Sequence, residues 1–311
     1  MSTTAGQRDL SPIAVFAYNR PDKLAAMMTS LERCHGFSKS QVIIFVDGPK
    51  RDSDRPAVER VQNFVRQLKQ PNVSWSFQDT NLGLRNSIYA GVTKVVEEFG
   101  RAIVLEDDLA LSPIALRYFN DALCRYENAP RIWSVVGYAY DAPAFKKSTS
   151  TFTLPFAHPW GWATWARAWD RFDLNNRPAE NNLRSQAFKS AFDMNGLYPF
   201  TAQLRNSIEG RVNSWFIHWY YTVFQNGGAS VFPPRRVLDN FGLSDGSHGG
   251  SLNPYDRLVN RPPLLDAVPK FSDPNRIDFA ALDDLRRCRE LRVQRFIARA
   301  GSAKRMITTA R

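Results

Sequence analysis

Residues 102–108 read Ala-Ile-Val-Leu-Glu-Asp-Asp, four apolar positions that end in three adjacent carboxylates. A short apolar run of this kind is a buried strand, and Ala102–Leu105 is predicted to be one. Three neighbouring carboxylates at its end repel one another and favour a cation. An acidic triplet can also be a solvated cap on the next helix. Its place directly after a buried strand instead favours hard oxygen ligands for Mg²⁺ or Mn²⁺ bridged to phosphate.

Outward from this stretch, strands and helices alternate. Ile13–Tyr18, Gln41–Val46, Val73–Gln78 and Ile132–Gly137 read as strands. Between them, 23–34, 56–69, 84–99 and 113–126 carry helical periodicity, with Val58, Val61, Phe64, Val65 and Leu68 on one face of the second. Asp22 is the expected cap of the first helix. The alternation predicts an α/β fold whose central sheet is mostly parallel, with helices on both faces. Ligands of such sheets sit outside the carboxyl ends of the strands. Asn19-Arg20, Asp47-Gly48 and Glu106-Asp107-Asp108 should therefore border one crevice. Asp47 is placed to accept hydrogen bonds from a nucleobase or ribose, and it also suits an ordinary Asp-Gly-Pro turn. Arg20 and Arg85 stand at helix starts suited to anions.

After residue 140 the character changes. His158 opens HPWGWATWARAWDRFD, and Asn213 opens NSWFIHWYY. Closely spaced tryptophans are commonly core. An exposed indole patch formed by Trp160, Trp162 and Trp215 would instead stack on sugar rings. Ala229–Phe232 reads as a strand leading to Asp239-Asn240-Phe241-Gly242. His248 lies in a Gly/Ser-rich loop that could deliver an imidazole to a metal. Residues 251–281 contain five prolines and few apolar runs, so irregular structure is expected there. The tail places Leu282, Leu285, Cys288, Leu291 and Phe296 on one helical face among arginines. Such a helix can lie on an anionic membrane, or simply pack against its own chain.

The 311 residues, 43% hydrophobic and 23% charged, suit one large or two small folded units. No apolar run is long enough to span a bilayer, and the first ten residues lack the pattern of a secretory signal. Three scattered cysteines argue for a reducing compartment, so a cytoplasmic location is expected. The net charge of +11 comes with no nucleic-acid-binding module. It points instead to a diphosphate ligand and an acidic membrane surface.

The order AYNRP, VDG, NLGL, EDD, WGWATW, NSW…WYY, DNFG and SDGSH resembles bacterial glycosyltransferases of the GT-A fold. It is similar to glycosyltransferase family 2 and to eukaryotic N-acetylglucosaminyltransferase I. The resemblance spans Ile13 to Gly250. It implies a Rossmann-like GT-A domain with a nucleotide-sugar part at 11–140 and an acceptor and catalytic part at 141–250. Residues 251–311 are expected to form an irregular segment and a basic helix. It also implies inverting, metal-dependent transfer from a nucleotide sugar, UDP-linked, to a glycan or lipid-linked acceptor in surface polysaccharide synthesis. Arg20, Asp47, Arg85 and Asp107 would contact the nucleotide, Asp108 and His248 the metal. One departure stands out: Asn213 occupies the position where an acid, the catalytic base, is expected. Glu209 is the candidate substitute, unless another residue acts or the enzyme is weak or inactive. A sugar nucleotidyltransferase should open with a Gly-rich loop after the first strand, which AYNRP lacks. A non-catalytic sugar- or nucleotide-binding scaffold is the reading from another class.

Overall fold

A computed structural model describes residues 10–175, 179–242, 262–293 and 295. Strands β1 (Ile13–Ala17), β2 (Val42–Val46), β3 (Val73–Phe77) and β4 (Arg101–Glu106) lie parallel in the spatial order β3-β2-β1-β4. Helices α1 (Pro21–Glu32), α2 (Arg55–Gln67) and α3 (Gly83–Phe99) supply the crossovers. Each runs within two residues of its predicted span at both ends. Asp22 does not cap α1: Pro21 takes the first turn, where its missing N–H costs nothing, and Arg20 precedes it.

The sheet continues beyond β4 through an element the sequence did not announce. β8 (Trp162–Trp165) enters antiparallel between β4 and β6 (Ile132–Val136). β9 (Ala229–Phe232) runs parallel to β6, and β7 (Phe152–Leu154) closes the edge antiparallel to β9. The result is one eight-stranded sheet, ordered β3-β2-β1-β4-β8-β6-β9-β7, with β8 and β7 reversed. Strands from both sides of residue 140 share it. A separate two-stranded pair joins β5 (Leu109–Leu111) to β10 (Leu238–Asn240), directly after the acidic triplet.

Alternation along β1 builds the two core layers. Ala14 and Phe16 face the layer holding Ile88, Val92, Val95 and Val96 of α3. Ile13, Val15 and Ala17 face α1, α2 and α4 (Ala115–Arg125). The α3 side also carries the aromatic α10 (Trp215–Gln225), and α9 (Phe200–Ile208) packs against α10.

On a strand, residues three apart point to opposite faces. Trp162 therefore enters one core layer and Trp165 the other. Trp162 is 1% exposed, stacks on Trp215 at 5.2 Å, and touches Trp169 and Trp219. Trp215 is likewise buried. This corrects the reading of Trp162 and Trp215 as a sugar platform: their faces are covered by other indoles. Trp160 alone of the three is only partly buried, edge-on to Tyr138 and His158.

The described part of 251–281 is irregular up to α11 (Phe279–Arg287), apart from one bridge between Lys270 and Ser150. Leu282, Leu285, Cys288 and Leu291 are buried in the α3-side core layer, and α11 packs on α5 (Pro143–Lys147) and β7. Glu290 accepts from Tyr138 Oη and from the Asp141 N–H at 3.1 Å, pinning the tail inward. These four apolar residues thus face their own chain, correcting the membrane-facing reading. Phe296 lies outside the described residues. No described helix is long and apolar enough to cross a membrane.

Candidate functional site

The crevice is built on the end of β1. Asp47 N–H donates to Ala17 O at 3.1 Å, and Asp107 N–H donates to Phe16 O at 3.1 Å. Both neighbouring strands therefore leave the sheet beside Tyr18-Asn19-Arg20. The Arg20 guanidinium reaches across to the acidic triplet. It pairs with Asp107 Oδ1, lies 3.4 Å from Asp107 Oδ2 through Nε, and 3.0 Å from Asp108 Oδ2 through Nη1. Burial works against the charged guanidinium, but Asp107 and Asp108 outweigh it and raise its pKa.

The carboxylates themselves sit in an unfavourable field. Glu106 is pushed up to about 8, first by burial, then by Asp108 and Asp107, with Arg20 opposing. Asp107 is 2% exposed and is raised to about 6 by burial, although Arg20 pulls it down. One arginine thus does not fully compensate three acids, as the strand-end position suggested.

The β5–β10 pair fixes Asp108. Asn240 Nδ2 donates to Asp108 Oδ1 at 3.3 Å, and Phe241 N–H donates to Asp108 O at 2.9 Å. Gly242 N–H donates to Asn240 Oδ1 at 2.7 Å, and a Cβ on Gly242 would overlap Asp108 Oδ2. Lys23 Nζ, from α1, reaches Phe241 O at 3.0 Å. Asn240 and Gly242 were visible in the sequence as DNFG, but nothing there assigned them to Asp108. Gly161 seats β10 from below: its φ is +52°, and a Cβ would overlap Leu238.

Asp47 corrects the sequence reading. Oδ1 accepts from Gly48 N–H at 2.9 Å and Leu82 N–H at 2.8 Å. Oδ2 accepts from Gly83 N–H at 2.9 Å and Asn81 Nδ2 at 3.0 Å. A carboxylate has about four acceptor sites, and here all are taken within the chain. Asp47 anchors the NLGL turn and the start of α3 and presents no free acceptor to a nucleotide.

Arg85 is held within the chain through one of its nitrogens. Its Nη2 donates to Leu174 O and its Nε is buried with no partner among the described residues; burial lowers its pKa. Asn213 lies against the start of α3, its Nδ2 3.2 Å from where a Gly83 Cβ would stand. Glu209 ends α9, half exposed, and pairs with Arg211. No contact found among the described residues joins Glu209 to the Arg20–Asp107–Asp108 cluster. His248 lies outside the described residues.

Beside Arg20 opens a cleft of 630 Å³ between the start of α1 and α2, lined by Asn19, Arg20, Lys23, Arg60, Asn63 and Phe64. Its volume suits a small-molecule ligand, and three cations and one carboxylate, Asp22, border it. Among the described residues no group of three acidic, histidine or cysteine side chains converges on one point. The donors present fit a hard cation held by one carboxylate, Asp108, with its other ligands from phosphate oxygens and water. Mg²⁺ commonly binds in that way.

Comparison of the sequence with protein-family profiles returns no match, and neither does comparison with curated proteins. Among solved structures, the chain is similar to GalNAc-T7 determined with UDP, GalNAc and Mn²⁺, at 12% identity and a TM-score of 0.47. The similarity covers 75% of this chain but spans less than half, 44%, of that one.

Proposed function

We propose that this protein is a nucleotide-sugar-dependent glycosyltransferase that uses a divalent cation. The observation that carries the reading is the meeting of Arg20, Asp107 and Asp108 at the carboxyl ends of β1 and β4, beside a cation-lined cleft. The order of motifs in the sequence gives it further support. The donor is a sugar linked to a nucleoside diphosphate, UDP in the first instance, and the acceptor is a glycan or lipid-linked hydroxyl.

The transfer is a single in-line displacement with inversion. The acceptor oxygen bonds to the anomeric carbon as the bond to the diphosphate breaks, and the acceptor proton passes to a carboxylate. Asp108 would hold Mn²⁺ or Mg²⁺, which when bound neutralises charge on the leaving diphosphate. Arg20 offsets part of the acidic charge from the β1 side, and Asp107 fixes the guanidinium's direction. Lys23 and Arg60 line the diphosphate's approach. Trp160, partly open, is the acceptor contact.

The proton acceptor in this reading is Glu209, because Asn213 offers an amide that takes up no proton at neutral pH. Two observations favour a second reading, a binding protein without turnover: Asn213 stands beside the start of α3, and Glu209 is engaged by Arg211. Assaying nucleotide-sugar turnover with Mn²⁺ separates the two. On the catalytic reading, Glu209→Gln lowers the rate at least ~100-fold, the low end for a general base, while nucleotide affinity is retained. Nucleotide binding with no turnover, restored by Asn213→Asp, would establish the second.

A further inference from the structure

The two edges of the sheet differ. At β7 the edge is covered by the chain itself: Thr151 N–H donates to Lys270 O at 2.8 Å and Asp278 N–H donates to Thr153 O at 2.9 Å. At β3 no described segment pairs with the outer side. The direction of its backbone follows from two bonds. Asn72 O accepts from Val42 N–H at 2.8 Å, and Gln78 N–H donates to Val46 O at 3.0 Å. Backbone groups alternate along a strand, so the even-numbered residues of β3 face β2. Val73, Trp75 and Phe77 turn their N–H and C=O groups outward. Val73 N–H is taken by Gln70 O, which leaves the remainder.

Natural sheets guard such an edge with lysine, proline, a bulge or a covering segment. Val73–Phe77 (VSWSF) contains none of these residues and pairs with β2 in unbroken register. Its central Trp75 is 42% exposed. Phe77 is covered in part by Trp75 at 6.2 Å and by the Arg66 guanidinium at 4.9 Å, so Trp75 is the apolar surface left open.

The strand is chemically symmetric about Trp75. We infer that β3 pairs antiparallel with β3 of a second copy of this chain, on a two-fold axis through Trp75. That register gives reciprocal bonds between the two Trp75 backbones and from each Phe77 N–H to the opposite Val73 carbonyl. It sets Val73 against Phe77, Ser74 against Ser76 and indole beside indole, with no like charges opposed. In that register exposed Asp79 of each copy falls opposite Pro71 of the other, two residues from exposed Lys69, so charges of opposite sign lie near each other at both ends. The contact is isologous, as a two-fold requires, and joins the two sheets into one. A single short strand buries little, so the dimer belongs at the weak end, below about 1,200 Å², and forms with rising concentration.

Sedimentation velocity on the whole chain from about 1 to about 100 μM, a range bracketing weak association, should show monomer passing to dimer. Trp75→Lys, which opposes two charges on the axis, should remain monomeric with an unchanged circular dichroism spectrum. Register is tested independently of that variant. Ser74 and the opposite Ser76 form a non-hydrogen-bonded pair with Cα atoms about 4.5 Å apart, within disulfide reach. An equimolar mixture of Ser74→Cys and Ser76→Cys chains should give a covalent dimer under mild oxidation, whereas either alone stays at the wild-type background. Monomer throughout the range, a dimer indifferent to Trp75→Lys, or equal cross-linking by either variant alone would overturn the inference.

Discussion

Replacing Asp47 with Asn tests whether that carboxylate supports the fold or serves a ligand. The residue is 5% exposed, and its two oxygens together accept four hydrogen bonds, at 2.8–3.0 Å. Asn keeps one oxygen and places an NH₂ group against two donors. With the oxygen toward Gly48 and Leu82, the amide opposes Gly83 N–H and Asn81 Nδ2. Asn81 also donates to Gly48 O at 2.8 Å, so its loss is softened. The start of α3 loses both a bond and a negative charge. A charge-assisted bond is worth about 1.5–3 kcal/mol, and a charge at a helix N-terminus about 0.3–1 kcal/mol. The sum is a loss of about 2–4 kcal/mol, or a Tm lower by roughly 3–6 °C for a chain of 311 residues. Urea unfolding and a thermal melt measure it. Nucleoside diphosphate affinity, compared where both proteins are folded, should change by less than about threefold, under 1 kcal/mol. Wild-type stability with nucleotide affinity lowered tenfold or more would refute the anchoring role and restore Asp47 to the ligand.

Gly242→Ala drives a Cβ into Asp108 Oδ2. It should cost Mn²⁺-dependent nucleotide binding more than about tenfold, by displacing the carboxylate from its Asn240 bond, while the far-UV spectrum is kept. His158 is buried and its pKa falls to about 3, so it stays neutral in the fold while the unfolded chain protonates near 6.5. Its contribution is therefore complete above pH 6.5 and is lost as pH falls toward 3. His158→Phe removes that dependence, so the wild-type advantage should shrink by about 2 kcal/mol between pH 7 and pH 5 in denaturant titrations. Trp162→Ala should destabilise by about 3–5 kcal/mol as a core truncation. Trp160→Ala should cost less stability than Trp162→Ala, because its ring is only partly buried against the two core layers, and should raise the acceptor KM.

β1, β2 and β4 were legible as short apolar runs ending in a turn and β3 as a period-two alternation, and their helices are long enough to show a period. The crevice followed from strand order, and Arg20 does meet Asp107 and Asp108. The β5–β10 pair was not legible: Leu109 and Asn240 are joined across a long stretch of chain, and each strand has three residues. For the same reason the hold of Asn240 and Gly242 on Asp108 could not be read from DNFG. WGWATW misled because a tryptophan-rich run looks like one patch until its period is known. As a strand it divides Trp162 and Trp165 between two cores. Asp47 misled differently, since its neighbours in space are the backbone of NLGL, which no side-chain pattern reveals. The tail's amphipathic face was read correctly as apolar, but a sequence does not state what covers such a face. Here α5 and β7 do.

The central claim is that Arg20, Asp107 and Asp108 form a cation-assisted diphosphate site. Its most direct test is calorimetric titration of UDP, with Mn²⁺ and with chelator, into the wild-type protein and into Asp108→Ala. Wild type should bind UDP with Mn²⁺ and lose at least tenfold in affinity with chelator, about 1.4 kcal/mol, whereas Asp108→Ala should bind weakly and equally in both. Equal UDP affinity for both proteins, with and without the metal, would contradict the claim.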